Sequence, residues 1–84
     1  MSEITEVDDD FPVEFVINNA PDQWTHYSNQ KWPVCHYDFN GGFVYNHKSK
    51  QFFEIAGSIE DQEGVFYKRE DIEAKAAENA NDTQ

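Results

Sequence analysis

Between Phe11 and Tyr67 the chain runs through short apolar–polar alternations broken by Gly, Pro and Asn, and each run predicts an element. Phe11, Val13, Phe15 and Ile17 are spaced two apart, which predicts a strand over 12–18 with Pro12 at an edge or first position. Asn18 to Asp22 reads as a turn leading into a short helix near 20–28. Asn19 suits its cap, Pro21 its first turn, and Asp22 meets the positive end of the helix dipole. Trp24 and Tyr27, three apart, would share one face of that helix, and Pro33 blocks its continuation.

The middle carries the clearest pattern. Cys35, Tyr37 and Phe39 alternate with Val34, His36 and Asp38, and Asn40-Gly41-Gly42 supplies residues that accept positive φ. Phe43-Val44-Tyr45 continues as a second strand, Asn46 to Lys50 forms a polar turn, and 51–56 a third strand. The three make an antiparallel meander. A polar loop over 57–63 leads to a fourth strand at Val65-Phe66-Tyr67. Residues 69–79 are strong helix formers with acids in the first turn, and Ile72 and Ala76 share a thin apolar stripe.

This order of elements predicts an α+β fold. An antiparallel sheet of four to five short strands would carry a short helix in the N-terminal half and a helix at the C-terminal end. Residues 11–79 form the domain, flanked by a disordered acidic start at 1–10 and a polar tail at 80–84. The expected core is Phe15, Ile17, Trp24, Trp32, Val34, Tyr37, Phe43, Tyr45, Phe53, Ile55, Val65 and Phe66.

Composition narrows the function classes. Eighty-four residues are one domain, and seven Phe, four Tyr and two Trp let so short a chain bury enough area. A single cysteine, Cys35, excludes an internal disulfide or a cysteine-based metal cage. No stretch has the roughly 20 apolar residues of a membrane helix, and the acidic start lacks a signal-type apolar run. A soluble, cytoplasmic protein without a cofactor is expected, in which the Asn81-Asp82-Thr83 sequon is incidental.

Seventeen acids against six bases give a net charge of −11. Residues 1–30 hold seven acids and no base, and 31–53 three lysines against Asp38; 54–84 hold nine acids and three bases. Such a charge disfavours direct contact with nucleic acid or an acidic membrane and favours a basic protein partner.

The residues that could carry chemistry do not assemble into a motif. His26, His36 and His47 with Cys35 and Asp38 are ligand-type groups, yet Cys35 and His36 are adjacent and on a regular strand would face opposite ways. Cys35 with His47 could form a thiol–imidazole pair across the hairpin, but nothing in the sequence supplies an oxyanion hole. Glu60, Asp61 and Glu63 lie in a loop without the fixed separation of an acid–base pair or the spacing of a calcium loop. Gly41-Gly42 lacks the following Lys-Ser/Thr of a phosphate loop. No enzymatic activity is expected.

One stretch resembles a known family. Trp32, followed by Asn40-Gly41-Gly42-Phe43-Val44-Tyr45-Asn46-His47-Lys48-Ser49-Lys50, looks like a proline-recognising WW module over about 22 residues. The middle strand is one residue short, Phe52-Phe53 stands at the second Trp, and the closing proline is missing. The resemblance implies a peptide-binding aromatic groove formed by Tyr45 and Phe53.

The acidic surface gives the leading expectation. In charge, aromatic β core and lack of catalytic residues the chain resembles the DNA-mimicking inhibitors of phage and mobile-element type. It is then a small acidic protein-binding protein that inhibits or modulates a basic, nucleic-acid-handling protein. Glu54, Glu60, Asp61, Glu63, Glu70, Asp71 and Glu73 would meet the partner's Lys/Arg array, with Tyr67 and Trp24 as aromatic anchors.

Overall fold

A computed structural model describes residues 2–55 and 57–82. Met1, Ala56, Thr83 and Gln84, which include the expected end of the third meander strand and the end of the tail, lie outside the described residues. The elements in chain order are β1 (Ser2–Ile4), α1 (Val13–Asn18), β2 (His26–Tyr27), β3 (Val34–Asp38), β4 (Phe43–Asn46), β5 (Gln51–Glu54), a 3₁₀ turn (Ile59–Asp61), β6 (Gly64–Lys68) and α2 (Arg69–Asp82). The fold is α+β. Its mixed, mostly antiparallel six-stranded sheet is ordered β1-β6-β2-β3-β4-β5.

The meander forms as the alternation implies. β3, β4 and β5 pair antiparallel, with Tyr37 opposite Val44 and Tyr45 opposite Phe52. Gly42 takes φ +81° in the β3–β4 turn, a conformation that strains any residue with a Cβ. Asp38 braces that turn, its Oδ1 accepting from the Asn40 and Gly41 N–H groups at 3.0 and 2.8 Å.

Two predicted elements are exchanged. Residues 13–18 form a helix, and 20–28 hold a turn and a two-residue strand. The two-residue spacing competes with a helical one, since Val13, Val16, Ile17 and Ala20 also recur at three and four. Tertiary burial decides for the helix: Val13 and Val16 are buried while Phe15 points outward, 53% exposed. The Asn19 side chain closes α1 by donating to the Phe15 carbonyl at 2.8 Å. Downstream, the Trp24 N–H donates to the Pro21 carbonyl in a turn, and β2 slots between β3 and β6. Tyr27 is buried from that strand instead of from a helix.

The acidic start carries β1, parallel to β6 with Ile4 opposite Phe66, and Lys75 on α2 pairs with Asp9. α2 runs three residues beyond the expected 79, and its Ile72 is fully buried.

The main core lies between the helices and the sheet, where Phe11, Val13, Val16, Trp24, Tyr27, Cys35 and Ile72 pack together. Phe11 contacts both Tyr27 and Tyr67 edge-on or tilted. A smaller aromatic cluster, Phe66 with Tyr37 and Phe39, occupies the opposite face of the sheet. Of the expected core, Trp24, Tyr37 and Phe66 are buried, and Ile17, Val34, Tyr45, Ile55 and Val65 are half-buried. Phe15, Trp32, Phe43 and Phe53 are exposed. The last three belong to the β3–β5 region, which extends beyond the cover of the helices.

Candidate functional site

A β-bulge at the start of β3 shapes the centre of the molecule. Val34 pairs with Asn46 and His36 with Tyr45, so Cys35 is an extra residue on β3. The bulge breaks the alternation expected of a regular strand, and both Cys35 and His36 are buried. The Cys35 thiol joins the main core, in the same cluster as Tyr27. Burial pushes its pKa up, which disfavours the thiolate.

His36 is 1% exposed and fully bonded. Its Nε2 lies 2.9 Å from the Val16 carbonyl of α1, which can only accept, so Nε2 carries the hydrogen. Its Nδ1 therefore accepts from the Nε2–H of His47, at 2.6 Å. Desolvation lowers the His36 pKa to about 4, with the neighbouring His47 adding to the effect. The imidazole is neutral at physiological pH and serves as a strut between β3, β4 and α1. The Cys35–His47 pair weighed from the sequence is not what the fold builds: Cys35 is buried in the core, and His47 bonds to His36.

From this strut an aromatic surface runs outward over β4 and β5. His47 stacks on Trp32 at 5.7 Å and meets Tyr45 edge-on at 4.8 Å. Tyr45 in turn packs against its cross-strand partner Phe52 at 5.0 Å. Trp32 is 63% and Phe52 56% exposed. The groove pair implied by the WW resemblance is corrected by the register. Phe53 pairs with Val44 and so lies on the face opposite Tyr45, and Phe52 takes its place beside Tyr45.

Where this surface meets the 21–24 turn, a cleft of about 420 Å³ opens between Trp24, Phe43, Tyr45 and Phe52, with Asp22 and Asp38 at its polar side. Trp24 also walls a second, wider cleft that contains Lys68, Arg69, Glu70 and Glu73. There Arg69 lies over the indole, its guanidinium carbon 5.4 Å from the ring centroid. Arg69 Nη1 donates to the Asp22 and Trp24 carbonyls at 2.9 and 3.1 Å, and Nε donates to Glu73 at 3.1 Å.

The acids singled out in the sequence fall into three groups. Glu54 ends β5, opposite Phe43. Glu60, Asp61 and Glu63 are exposed around the 3₁₀ turn, where Asp61 Oδ2 accepts from the Ser58 N–H at 3.0 Å and caps it. On α2, Glu70 and Glu73 border the Arg69 cleft while Asp71 lies on another side with Lys75. Trp24 is only 3% exposed, contributing a wall instead of a protruding anchor, and Tyr67 is half-buried against Phe11. Sequence reasoning missed Phe52, Phe43, Asp22, Asp38 and the histidine pair as site residues. The signal in hand was the spacing of Phe43 and Tyr45, two apart on one strand, which places both on one face.

Among the described residues no group of His, Cys, Asp and Glu is arranged to hold a metal ion, and no helix is long and apolar enough to cross a membrane. Compared with known protein families, with curated proteins and with solved structures, the chain matches none.

Proposed function

We propose that this chain is a small acidic binding protein that engages a basic protein, of the nucleic-acid-handling kind, and modulates or inhibits it. The observation that carries the reading is the continuous aromatic surface of Trp32, His47, Tyr45 and Phe52, whose two ends, Trp32 and Phe52, stand exposed on a chain of net charge −11. Large exposed aromatics cost a soluble monomer stability and solubility, and they supply most of the affinity in protein interfaces. The carboxylates attract and steer a cationic partner, and the aromatic surface holds it.

DNA mimicry is the limiting case, in which the carboxylates of Glu54, Glu60, Asp61, Glu63, Glu70, Asp71 and Glu73 stand in for phosphates. A second reading keeps the WW-like geometry, with a proline-rich peptide lying across Tyr45 and Phe52. It is favoured by the packing of those two rings across β4 and β5.

Two variants separate these readings: Glu60→Gln/Asp61→Asn/Glu63→Gln, and Tyr45→Ala. Both sets are compared with the parent in capture of partners from lysate, eluted in a salt series with and without competing DNA. Under the proposed reading both variants lose a partner that salt releases. Mimicry predicts loss with the charge variant alone and displacement by DNA. A peptide binder loses its partner with Tyr45→Ala alone and resists salt.

A further inference from the structure

The cleft between Trp24, Phe43, Tyr45 and Phe52 has a chemistry more specific than an apolar patch. Its walls are π-faces, and carboxylates from two different segments, Asp22 and Asp38, stand at its polar side. Asp38 uses Oδ1 to brace the β3–β4 turn, while Asp22 is exposed. Among the described residues no lysine or arginine lines this cleft. A neutral apolar ligand would leave the carboxylates unused, and an anion would be repelled by them.

The molecule already contains the complementary arrangement. Arg69 sets its guanidinium over Trp24 and bonds the carbonyls of Asp22 and Trp24. The same indole and the same Asp22 border the aromatic cleft. We infer that this cleft receives an arginine side chain of the basic partner, its guanidinium stacked among Tyr45, Phe52 and Phe43 and paired with Asp22 and Asp38. Arginine fits better than lysine because its group is planar, weakly hydrated and able to stack and bond in one plane. The inference rests on the binding function proposed above and names the group that the site recognises.

The test uses the full chain, isotope-labelled, titrated by NMR with triarginine amide, trilysine amide and tricitrulline amide. The last two separate charge from shape. Triarginine is expected to shift the Trp24 indole N–H and the Phe43, Tyr45 and Phe52 amides, trilysine to bind at these resonances about fivefold or more weakly, and tricitrulline to bind more weakly still. Phe52→Leu and Asp22→Asn change exposed side chains and keep a dispersed spectrum. Each is expected to weaken triarginine binding by about three- to tenfold. Equal shifts from triarginine and trilysine, centred on Glu60–Glu63 or α2, would overturn the arginine site and leave the acidic-binder reading standing, as would unchanged binding by both variants. No response to any cationic peptide would overturn both.

Discussion

The two halves of the sheet are built from the same kinds of residue and treat them oppositely. Across β6, β2 and the inner part of β3, aromatic side chains are closed in: Tyr27 and Trp24 are buried in the core with α1, α2 and Phe11, and Phe66 is buried on the other face against Tyr37 and Phe39. Across β4 and β5 no helix follows, and Phe43, Phe52 and Phe53 stay exposed. A chain of 84 residues has few aromatics to spare. One half uses them to fold, and the other presents them. Between the halves stands His36, bonded to α1 on one side and to His47 on the other.

The sharpest break between the halves is in stability. Phe66→Ala is expected to cost about 3–5 kcal/mol in urea unfolding, enough to unfold much of the population. Phe52→Ala, which loses a solvent-facing ring and one cross-strand contact, is expected to cost less than about 1 kcal/mol. Similar losses at both sites would mean that β4 and β5 are as tightly built as the covered half.

The next effect is on the strut. Folded His36 titrates near 4, below its ordinary value of about 6.5 in an unfolded chain. Between those values the unfolded chain binds the extra proton, so stability rises with pH. The contribution is complete above about 6.5 and is lost as pH falls toward 4, by roughly 3 kcal/mol. His36→Gln, which can still donate to the Val16 carbonyl, should flatten this part of the pH–stability curve. An unchanged slope would place the titration elsewhere.

A smaller effect is expected where the acidic start is tied down. Lys75 holds Asp9, which lowers the Asp9 pKa through the hydrogen bond and the charge of Lys75. Asp9→Asn should leave the unfolding midpoint nearly unchanged while amide exchange quickens over residues 5–10. The difference between parent and variant should shrink in high salt.

The division between the halves also marks what the sequence makes legible. β3, β4, β5, β6 and α2 follow from local signals: strict alternation, the Asn40-Gly41-Gly42 turn, and a run of helix formers after Lys68. The exchanged elements, α1 and β2, are six and two residues long. At that length propensity decides little, and burial against a distant strand decides the rest. β1 depends on parallel pairing with a strand some 60 residues away, for which no local pattern exists. The candidate site was legible only in its parts. Tyr45 and Trp24 were named, yet the bulge that buries His36, the register that selects Phe52 over Phe53, and the approach of Asp22 to Asp38 are consequences of strand order. The acids were visible as a total, and their separation into three groups was not.

The central claim is that the aromatic surface over β4 and β5 is kept for a partner and not for folding. Phe43→Leu/Phe52→Leu tests it most directly when thermal unfolding and retention of the captured basic partner are measured on the same preparation. The account predicts a melting temperature within a few degrees of the parent and a partner lost at low salt. A variant that melts far below the parent, or one that holds the partner undiminished, would contradict it.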